Sequence, residues 1–489
     1  MRPALGQRRR SQCAARRAAR RHRELRPASV LVPQRDLIKN LYDSLIEYTP
    51  EGKAIPSLAE AWTIAPDSRS VTLRLRSDVK FHSGNRLNAE AVAANLRKAA
   101  DPRPGKNVFP TMAIVADWTV VDPRTIRLNF RKPVPDRQVT DLPQFIWIIA
   151  PAGIDTVEQT PAGSGAYCLA ERVVGRRIRI LADPDYWRRG EPVIREVVFT
   201  IFSKDAAATA ALESGGIDVS YGGSSRSATR LRQAGYPVGD GPGPVAQAFR
   251  INTTRGPFRN KSFRQAFNHV IDREGIPRVG YGGLETVAAL PWARSSPAHD
   301  PSYARTNAFN IEKGRELLQR AGLSEAEMSG WKLVVNAGGQ PDVAISQVVQ
   351  ATLRHVGISI ELDMKEGAEL TEAMLRGRFD AIFGGVGNIQ NFPSRVTTNN
   401  IYRTSNNPVL GEPHPFPAHV AAIERVNTTL GTGPEVKAAY DHLSKVLVGC
   451  AFAIPTNTYK RDLIVTAKNV SGFTLDIDNM LVLRTTLRR

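Results

Sequence analysis

Long hydrophobic runs are missing from this sequence. No segment approaches the roughly 18 consecutive apolar residues of a transmembrane helix, although 42% of the 489 residues are hydrophobic. An apolar content that is high but dispersed is typical of a chain that buries a large core, and at this length we expect two or three lobes. The sequence therefore does not indicate a membrane-embedded protein.

Cysteine is scarce as well. Cys13, Cys168 and Cys450 lie far apart, form no CxxC pair and have no histidine at metal-ligand spacing. We therefore expect buried or unreactive thiols and no metal site. A disulfide between Cys168 and Cys450 is the alternative.

Catalytic motifs are also absent. The sequence has no GxSxG, HExxH or Walker motif and no GxGxxG between a strand and a helix. The glycine cluster Gly163-Ser164-Gly165 is followed by a strand pattern rather than a helix, which argues against a phosphate-binding loop. A hydrolase-like enzyme is thus an alternative for which no catalytic residue can be named.

Acidic residues are too few to balance the basic ones, and the formal net charge is +19. Such a charge suggests nucleic acid or an anionic surface as a partner. Its distribution argues otherwise, because ten arginines and Glu24 give residues 1–26 a charge of +9 and leave +10 for the rest. A nucleic-acid-binding protein is therefore an alternative that depends on this head alone.

The Arg-rich head, residues 1–28, lacks the apolar stretch of about 7 to 15 residues that follows the charges of a signal peptide. Three interpretations stay open: a disordered tail, a wrongly assigned start that replaces the true leader, and an RNA- or lipid-binding arm. In the second, an edge strand of the first lobe is missing too.

The stretch from Asn40 to Asp101 predicts a helix, a turn, a short helix over 55–62, a strand over 71–76 and a helix over 89–96. Val71, Leu73 and Leu75 alternate with polar residues, and Asn88 can cap the last helix.

Further along, residues 118–130 predict a hairpin around Asp122-Pro123-Arg124. An apolar stripe of Phe263, Phe267, Val270 and Ile271 predicts an amphipathic helix. Strand patterns alternate with helix patterns in both halves of the chain, which favours largely parallel sheets. These patterns are strands at 168–173, 177–181, 192–202, 217–221, 332–335, 358–362 and 379–383, and helices at 205–214, 310–322, 345–356 and 369–376.

Several blocks resemble the dipeptide, oligopeptide and nickel solute-binding family of ABC importers. The similarity is densest in residues 40–101, which include the uncommon run Lys80-Phe81-His82-Ser83-Gly84, and it extends in scattered blocks to about residue 480. The other blocks are Gly163–Tyr167, Asp183–Trp187, Gly215–Tyr221, Asn252–Phe258 and Phe263–Glu274.

The resemblance implies an α/β, two-lobed periplasmic-binding-protein fold of class II, cluster C, with an extra subdomain in the first lobe and a two-strand hinge near Ile251 to Gly256 and Leu463 to Phe473. The implied boundaries are 29–48, 165–250 and 463–489 for lobe I, 49–164 for the extra subdomain and 251–462 for lobe II.

The loop after Phe383 is the most informative about the solute. Peptide-binding relatives carry a Trp and an Asp here, whereas this sequence has Val386 in place of the Trp and no Asp between Gly384 and Thr404. Burying an ammonium group without a counter-charge would cost several kcal/mol, so a free peptide amine is disfavoured. Amides and Arg suit a neutral polar or carboxylate-bearing solute. The competing interpretation is a solvated loop whose Asn residues serve turns.

The candidate ligand-binding residues follow from this loop and from the resemblance; they are Tyr221, Asn252, Asn388, Asn391, Phe392, Arg395 and Tyr402. His414 and His419 are weak candidates for a metal or haem ligand. We expect no catalytic residues, no metal and no cofactor.

The predicted function is an extracytoplasmic receptor of an ABC importer, periplasmic or on the cell surface, although no signal peptide is visible. It would capture a peptide, opine or similar small polar solute between the lobes and deliver it to the permease subunits. We expect a monomer without a nucleic-acid partner.

Overall fold

A computed structural model of the chain describes residues 33–100, 112–144, 146–154, 161–239, 245–283, 285–294, 296–386, 393, 395, 402, 409–411, 414–459, 463–476, 478, 480–485 and 487–488. The Arg-rich head lies outside these ranges. Among the described helices, none has both the length and the apolar character needed to cross a bilayer.

The strands, in chain order, are β1 Ile46–Tyr48, β2 Ala54–Pro56, β3 Ala59–Ile64, β4 Ser70–Leu75, β5 Val115–Asp122, β6 Thr125–Phe130, β7 Tyr167–Val173, β8 Arg177–Ala182, β9 Glu196–Thr200, β10 Val219–Tyr221, β11 Val238–Gly239, β12 Val245–Ile251, β13 Thr286–Val287, β14 Lys332–Asn336, β15 Glu361–Lys365, β16 Ala381–Val386, β17 Ala453–Tyr459, β18 Ile464–Thr466, β19 Val470–Ser471, β20 Thr474–Leu475, β21 Leu481–Val482 and β22 Leu487–Arg488.

The α-helices are α1 Pro33–Leu41, α2 Ala89–Ala99, α3 Asp136–Gln144, α4 Asp205–Glu213, α5 Ser225–Gln233, α6 Lys261–His269, α7 Gly275–Tyr281, α8 Ser302–Thr306, α9 Ile311–Ala321, α10 Glu325–Met328, α11 Gln340–Arg354, α12 Gly367–Arg376, α13 Pro417–Thr428 and α14 Pro434–Cys450. Short 3-10 helices occur at Pro151–Gly153 and Gly256–Arg259.

The chain forms two compact units. Unit 1 comprises residues 1–223, 236–239 and 464–489, and unit 2 comprises 224–235 and 240–463. Residues 224–235 and 240–250, placed in lobe I by the sequence, thus group with unit 2. The finer division of lobe I, with its extra subdomain, stays a prediction.

The sheets of unit 1 are antiparallel. Strands β3, β4, β6 and β5 form one sheet in that order, β7, β8 and β9 form a second, and β18 lies between β10 and β11 in a third. The prediction of a parallel sheet here was wrong. Several neighbouring strands are joined by tight turns, such as Val174–Arg176 between β7 and β8, and these are too short for the crossover that parallel pairing needs.

Unit 1 contains two apolar clusters. One lies among β3 to β6 and α2 and includes Leu73, Leu96 and Leu128. The other joins α1, β7, β8 and the C-terminal strands, and includes Ile180 and Leu481. The first and last parts of the described chain therefore share one core.

Two local predictions in the first block were wrong. The helix expected from Asn40 ends at Leu41 and is followed by β1, and the short helix expected over 55–62 is replaced by β2 and β3. Glu60, Trp62 and Ile64 are half-buried whereas the residues between them are exposed. This period of two fits a strand that pairs with β4.

Other local predictions are confirmed. The Asn88 side chain accepts a hydrogen bond of 2.8 Å from the Ala91 amide and so caps α2. β5 and β6 form the expected hairpin. The stripe that begins at Phe263 is buried along α6 and just beyond it.

Unit 2 is built on a mixed sheet with the strand order β13-β17-β12-β16-β14-β15. β14 runs parallel to β15 and β16, as the βαβ pattern predicts, but β12 is antiparallel to both β16 and β17. The expectation of a largely parallel sheet therefore holds for only part of it. Of the strands predicted here, β15 begins three residues later than expected, at Glu361.

Both faces of this sheet are covered. Phe249 and Ile251 belong to an apolar cluster with α6 and α11, and Ala248 and Ile382 belong to another with α13 and α14. The predicted hinge at 251–256 lies within unit 2, because the Asn252 amide donates to the Asp380 carbonyl at 2.9 Å. Cys450, at the end of α14, is a free thiol, so the alternative of a Cys168–Cys450 disulfide is wrong.

A buried carboxylate in unit 1 connects the first sequence block with the second. Asp43 accepts hydrogen bonds from the Ser164 hydroxyl at 3.1 Å, the Tyr186 hydroxyl at 3.2 Å and Trp187 Nε1 at 2.9 Å. Burial raises its pKa above the usual range for Asp. These residues therefore have a structural role in holding unit 1 together.

Glu47 carries a second buried carboxylate in the same region. Its oxygens lie 3.5 Å from Lys39 Nζ, 3.2 Å from Arg188 Nη2 and 3.0 Å from Arg484 Nη2. Burial alone would raise its pKa, but Lys39, Arg484 and Arg188 outweigh burial and hold it at about 2. The C-terminal segment is thus held by charge as well as by apolar packing.

Gly163 and Gly165 are needed for close backbone contact. A Cβ at Gly165 would lie 2.5 Å from the Leu41 carbonyl carbon, and one at Gly163 would lie 2.0 Å from the Leu41 oxygen. His82 Nε2 also lies 2.8 Å from the Gly165 carbonyl oxygen. Close packing against the end of α1 therefore accounts for the glycines of this cluster. A phosphate-binding role is not needed to explain them.

We expect Gly165→Ala to lower the free energy of unfolding by about 2 kcal/mol or more, because backbone must shift to admit the methyl group. Gly239→Ala is the matched control, since a Cβ there meets nothing within 4 Å. Urea unfolding of both variants tests this, and equal stability would contradict the close-packing argument.

We expect Glu47→Gln to destabilise the protein by about 3 kcal/mol near pH 6, because it leaves buried cations unpaired. The folded pKa of Glu47 lies below its unfolded value, so its contribution is present above about pH 4.5 and is lost as the pH falls toward 2. The stability difference from the parent should therefore shrink by about 2 kcal/mol near pH 3. A pH-independent difference would refute the charge assignment.

Candidate functional site

The carboxyl ends of several strands meet at one edge of the unit 2 sheet. β14, β15, β16 and β17 run in the same direction, and β12 enters the sheet from this edge. Ligands of open α/β sheets bind at such edges. The loop that the sequence singles out for the solute begins here, directly after β16.

Arg250 on β12 extends toward this edge. Its Nη2 donates to the carbonyl of Gly385, one residue before the end of β16, and its Nη1 contacts Met374 Sδ at 3.4 Å. Its Nε is buried and has no hydrogen-bond partner among the residues that the structure describes. Burial lowers the pKa of the guanidinium.

Tyr402 is held from two sides. Its ring packs against Phe452 with a centroid distance of 5.9 Å, and its carbonyl lies 2.8 Å from His419 Nε2. The residue is 1% exposed, and within the described part of the chain its hydroxyl has no hydrogen-bond partner. Burial raises the pKa of this hydroxyl well above its usual range, so it stays a neutral donor near pH 7.

His419 positions Tyr402. Because a carbonyl only accepts, Nε2 must carry the proton, and Nδ1 is then the unprotonated nitrogen. Burial lowers the pKa of His419 to about 4. Its ring stacks on His414 at a centroid distance of 5.4 Å, yet in the described part of the chain no three His, Cys, Asp or Glu side chains gather as a metal site.

Asn252 is buried, and its side chain is used within unit 2. Nδ2 donates to the Gly377 carbonyl at 2.9 Å, and Oδ1 accepts from the amide and hydroxyl of Thr254 at 3.0 and 2.6 Å. These bonds favour a structural role in fixing the chain after β12. Its predicted ligand contact stays a prediction.

The other predicted site residues are distributed between the units. Tyr221 is half-buried at the end of β10 in unit 1, and Arg395 is buried in unit 2. Asn388, Asn391 and Phe392 lie outside the described residues. Of the predicted set, Tyr402 packs on Phe452, the residue before Ala453, and Ala453 pairs with Arg250, a charged residue that sequence reasoning missed.

A signal for Arg250 was present. It lies in the run Val245–Ile251, where Phe249 and Ile251 alternate with it toward the opposite face. A cation inside an otherwise buried central strand needs an explanation. Sequence reasoning used this run only to mark a change of lobe.

A small cavity of about 10 Å³ lies beside Tyr402, with Asn268, Leu290 and Asn307 in its wall. A volume of this size admits about one water molecule. It is too small for a solute.

Comparison with solved structures defines the class of fold. NikA from Brucella suis in complex with Fe(III)-EDTA superposes with a TM-score of 0.82 at 23% identity, over 95% of this chain and 97% of that one. A dipeptide-binding protein from Pseudoalteromonas in complex with Met-Leu gives 0.79 at 20% identity, over 94% and 97%. This protein therefore has the periplasmic-binding-protein fold, as predicted.

The family is shown by sequence. The model of the bacterial extracellular solute-binding proteins, family 5, matches residues 53–408, and the chain belongs to this family. It is 24% identical to the nickel-binding periplasmic protein of Escherichia coli K12, over 70% of this chain and 69% of that one. It is 25% identical to the glutathione-binding protein GsiB of the same organism, over 70% and 67%. The family and these relatives are binding proteins.

We expect the parent protein to lose about 2 kcal/mol of stability between pH 7 and pH 4.5 through His419. Its folded pKa, about 4, lies below the value of 6.5 for a free histidine, so protons bind preferentially to the unfolded state in this window. His419→Gln keeps a donor but does not titrate.

Urea unfolding at the two pH values measures the effect. The Gln variant should lose less stability than the parent by that amount. An identical loss in both proteins would show that His419 is not held neutral.

Proposed function

We propose that this protein is an extracytoplasmic receptor that captures a small polar solute and delivers it to the permease of an ABC importer, acting as a monomer. The observation that carries the proposal is the family match over residues 53–408. The periplasmic-binding-protein fold supports it, because solved structures with this fold hold solutes as different as Fe(III)-EDTA and Met-Leu.

The solute class is argued from charge. Residues 384–404 contain no Asp to pair with a peptide amine, and the carbonyl of Gly385 at the start of this segment is contacted by a cation, Arg250. A positive charge at this position disfavours an ammonium group and favours a carboxylate or a neutral polar group. Opines and other organic acids are therefore better candidates than solutes bound through a free amine.

The extracytoplasmic location is supported by the relatives, which are named as periplasmic proteins. The family match begins at residue 53 and does not include the Arg-rich head, and we propose that the head takes no part in solute binding. We propose that the receptor works through reversible binding and leaves its solute chemically unchanged.

A thermal-shift screen tests the proposal, with agropinic acid, glutathione, Met-Leu, sugars and metal chelates as probes. A true ligand at 100 times its dissociation constant should stabilise the protein by about 2.7 kcal/mol. We expect an organic acid to give such a shift and to be recovered intact afterwards. A screen in which Met-Leu gives the large shift while agropinic acid gives none would overturn the argument from charge.

Deletion of residues 1–28 is the matched control for the rival nucleic-acid function. A solute receptor should keep its affinity for the solute after the deletion. An RNA-binding protein should instead lose most of its salt-sensitive binding. Salt-dependent RNA binding that disappears with the head, without any solute binding, would contradict the receptor function.

A further inference from the structure

We propose that Arg250 and Tyr402 form a binding site for a carboxylate group of the solute. Arg250 supplies the charge through its guanidinium, and the Tyr402 hydroxyl supplies a neutral hydrogen bond. The inference rests on the proposed receptor function for its biological meaning, but the site itself is argued from unit 2 alone.

A comparison with two buried arginines of unit 2 shows what is unusual about Arg250, which is itself half-buried but has a buried Nε. Arg273 donates to the carbonyls of Pro455, Asn268 and Asn307 and to the Asn268 side chain. Its guanidinium is therefore saturated by groups of the fold. Such an arginine stabilises the chain segments that it connects.

Arg264 is held in a similar way through two of its three guanidinium nitrogens. Its Nε donates to the Cys450 carbonyl at 2.9 Å, and its Nη1 donates to the carbonyls of Phe258 and Arg259 at 2.7 and 3.1 Å. Arg264 thus ties α6 to the end of α14 and to the preceding 3-10 helix.

Arg250 departs from this pattern. One carbonyl and one thioether sulfur are its partners, and its Nε is buried and unpaired. Within the described residues, no carboxylate pairs with it. A desolvated cation that lacks a counter-charge costs stability unless a ligand supplies that charge.

Tyr402 completes the arrangement. Its hydroxyl is a second buried group without a partner among the described residues. Its ring packs on Phe452, the residue before Ala453, and Ala453 pairs with Arg250 between β17 and β12. His419 and Phe452 fix the backbone and ring of Tyr402. A charged fork and a hydroxyl held together are donors suited to a carboxylate, which has only acceptor oxygens.

The location agrees with this assignment. Arg250 contacts the Gly385 carbonyl near the carboxyl end of β16, where ligands of such sheets bind. The contact is followed directly by the segment in which the Asp of peptide-binding relatives is missing. Arg250 thus brings a positive charge to the start of this segment.

The first experiment uses the full chain without any ligand. We expect Arg250→Met to unfold at the same temperature as the parent or at a higher one, because it removes an unpaired buried charge while keeping an apolar stem. Arg273→Met is the matched control and should unfold at a clearly lower temperature. An equally large loss in both variants would assign Arg250 a structural role and overturn the proposal.

The second experiment measures binding, with malonate and acetate as probes and malonamide as the uncharged counterpart, all at constant ionic strength. We expect the acids, but not malonamide, to raise the unfolding temperature of the parent in a saturable way. Arg250→Lys and Tyr402→Phe should weaken the response, Arg250→Lys by about tenfold or more in half-saturating concentration. Equal responses of the parent and Arg250→Met, or no response in the parent, would overturn the proposal.

A failure of the proposed carboxylate site can be distinguished from a failure of the receptor function by comparing these experiments with the solute screen. A solute that stabilises the parent and Arg250→Met alike would leave the receptor function intact and remove the carboxylate site. A saturable malonate response without binding of any screened solute would support the carboxylate site and count against the receptor function.

Discussion

The buried carboxylate of Asp43 is the interaction on which unit 1 depends. It joins the start of the described chain to Ser164, Tyr186 and Trp187, which lie more than a hundred residues further along. Its oxygens accept hydrogen bonds from neutral donors, and the nearby cations Arg484 and Arg188 offset part of the cost of burying its charge. In this unit, the residues of the sequence blocks that carry the family resemblance therefore serve mainly to hold the fold together.

The neighbouring carboxylate of Glu47 is stabilised in a different way, by charged partners. It is surrounded by Lys39, Arg188 and Arg484, which come from α1, from the region after β8 and from the C-terminal segment. A buried charge network specifies which segments belong together, because each charge is costly without its partners. Apolar packing alone would not discriminate so sharply between the C-terminal segment and another apolar segment.

Sequence reasoning succeeded where the information is local. The cap at Asn88 and the apolar stripe around Phe263 need only a few neighbouring residues, and both are confirmed. It failed over residues 55–62, where a helix-like spacing competes with pairing to β4, a partner that the local pattern does not reveal. The prediction of parallel sheets was wrong in unit 1 and held for only part of the unit 2 sheet. The reason is similar, since the position of β12 beside β16 depends on contacts between distant parts of the chain.

The sequence likewise indicated only part of the candidate site. The sequence pointed to the segment after Phe383 and to Tyr402, because motif comparison reveals what is missing from a loop. It did not point to Arg250, because that residue is distinguished by the hydrogen-bond partners that it lacks, and these can be recognised only in the structure. The arginines at 264 and 273 are equally basic in the sequence, and only the count of their hydrogen-bond partners separates them from Arg250.

This difference between Arg250 and the other two arginines bears on how such a receptor recognises its solute. Two buried arginines of unit 2, Arg264 and Arg273, donate chiefly to backbone carbonyls of the fold. The unpaired, buried Nε of Arg250 is a departure from this local pattern. Departures of this kind concentrate at functional sites, where stability is given up for binding. Since a desolvated guanidinium favours a carboxylate over an amide or an amine, charge at Arg250 would select among solutes of similar size without any change in the shape of the site.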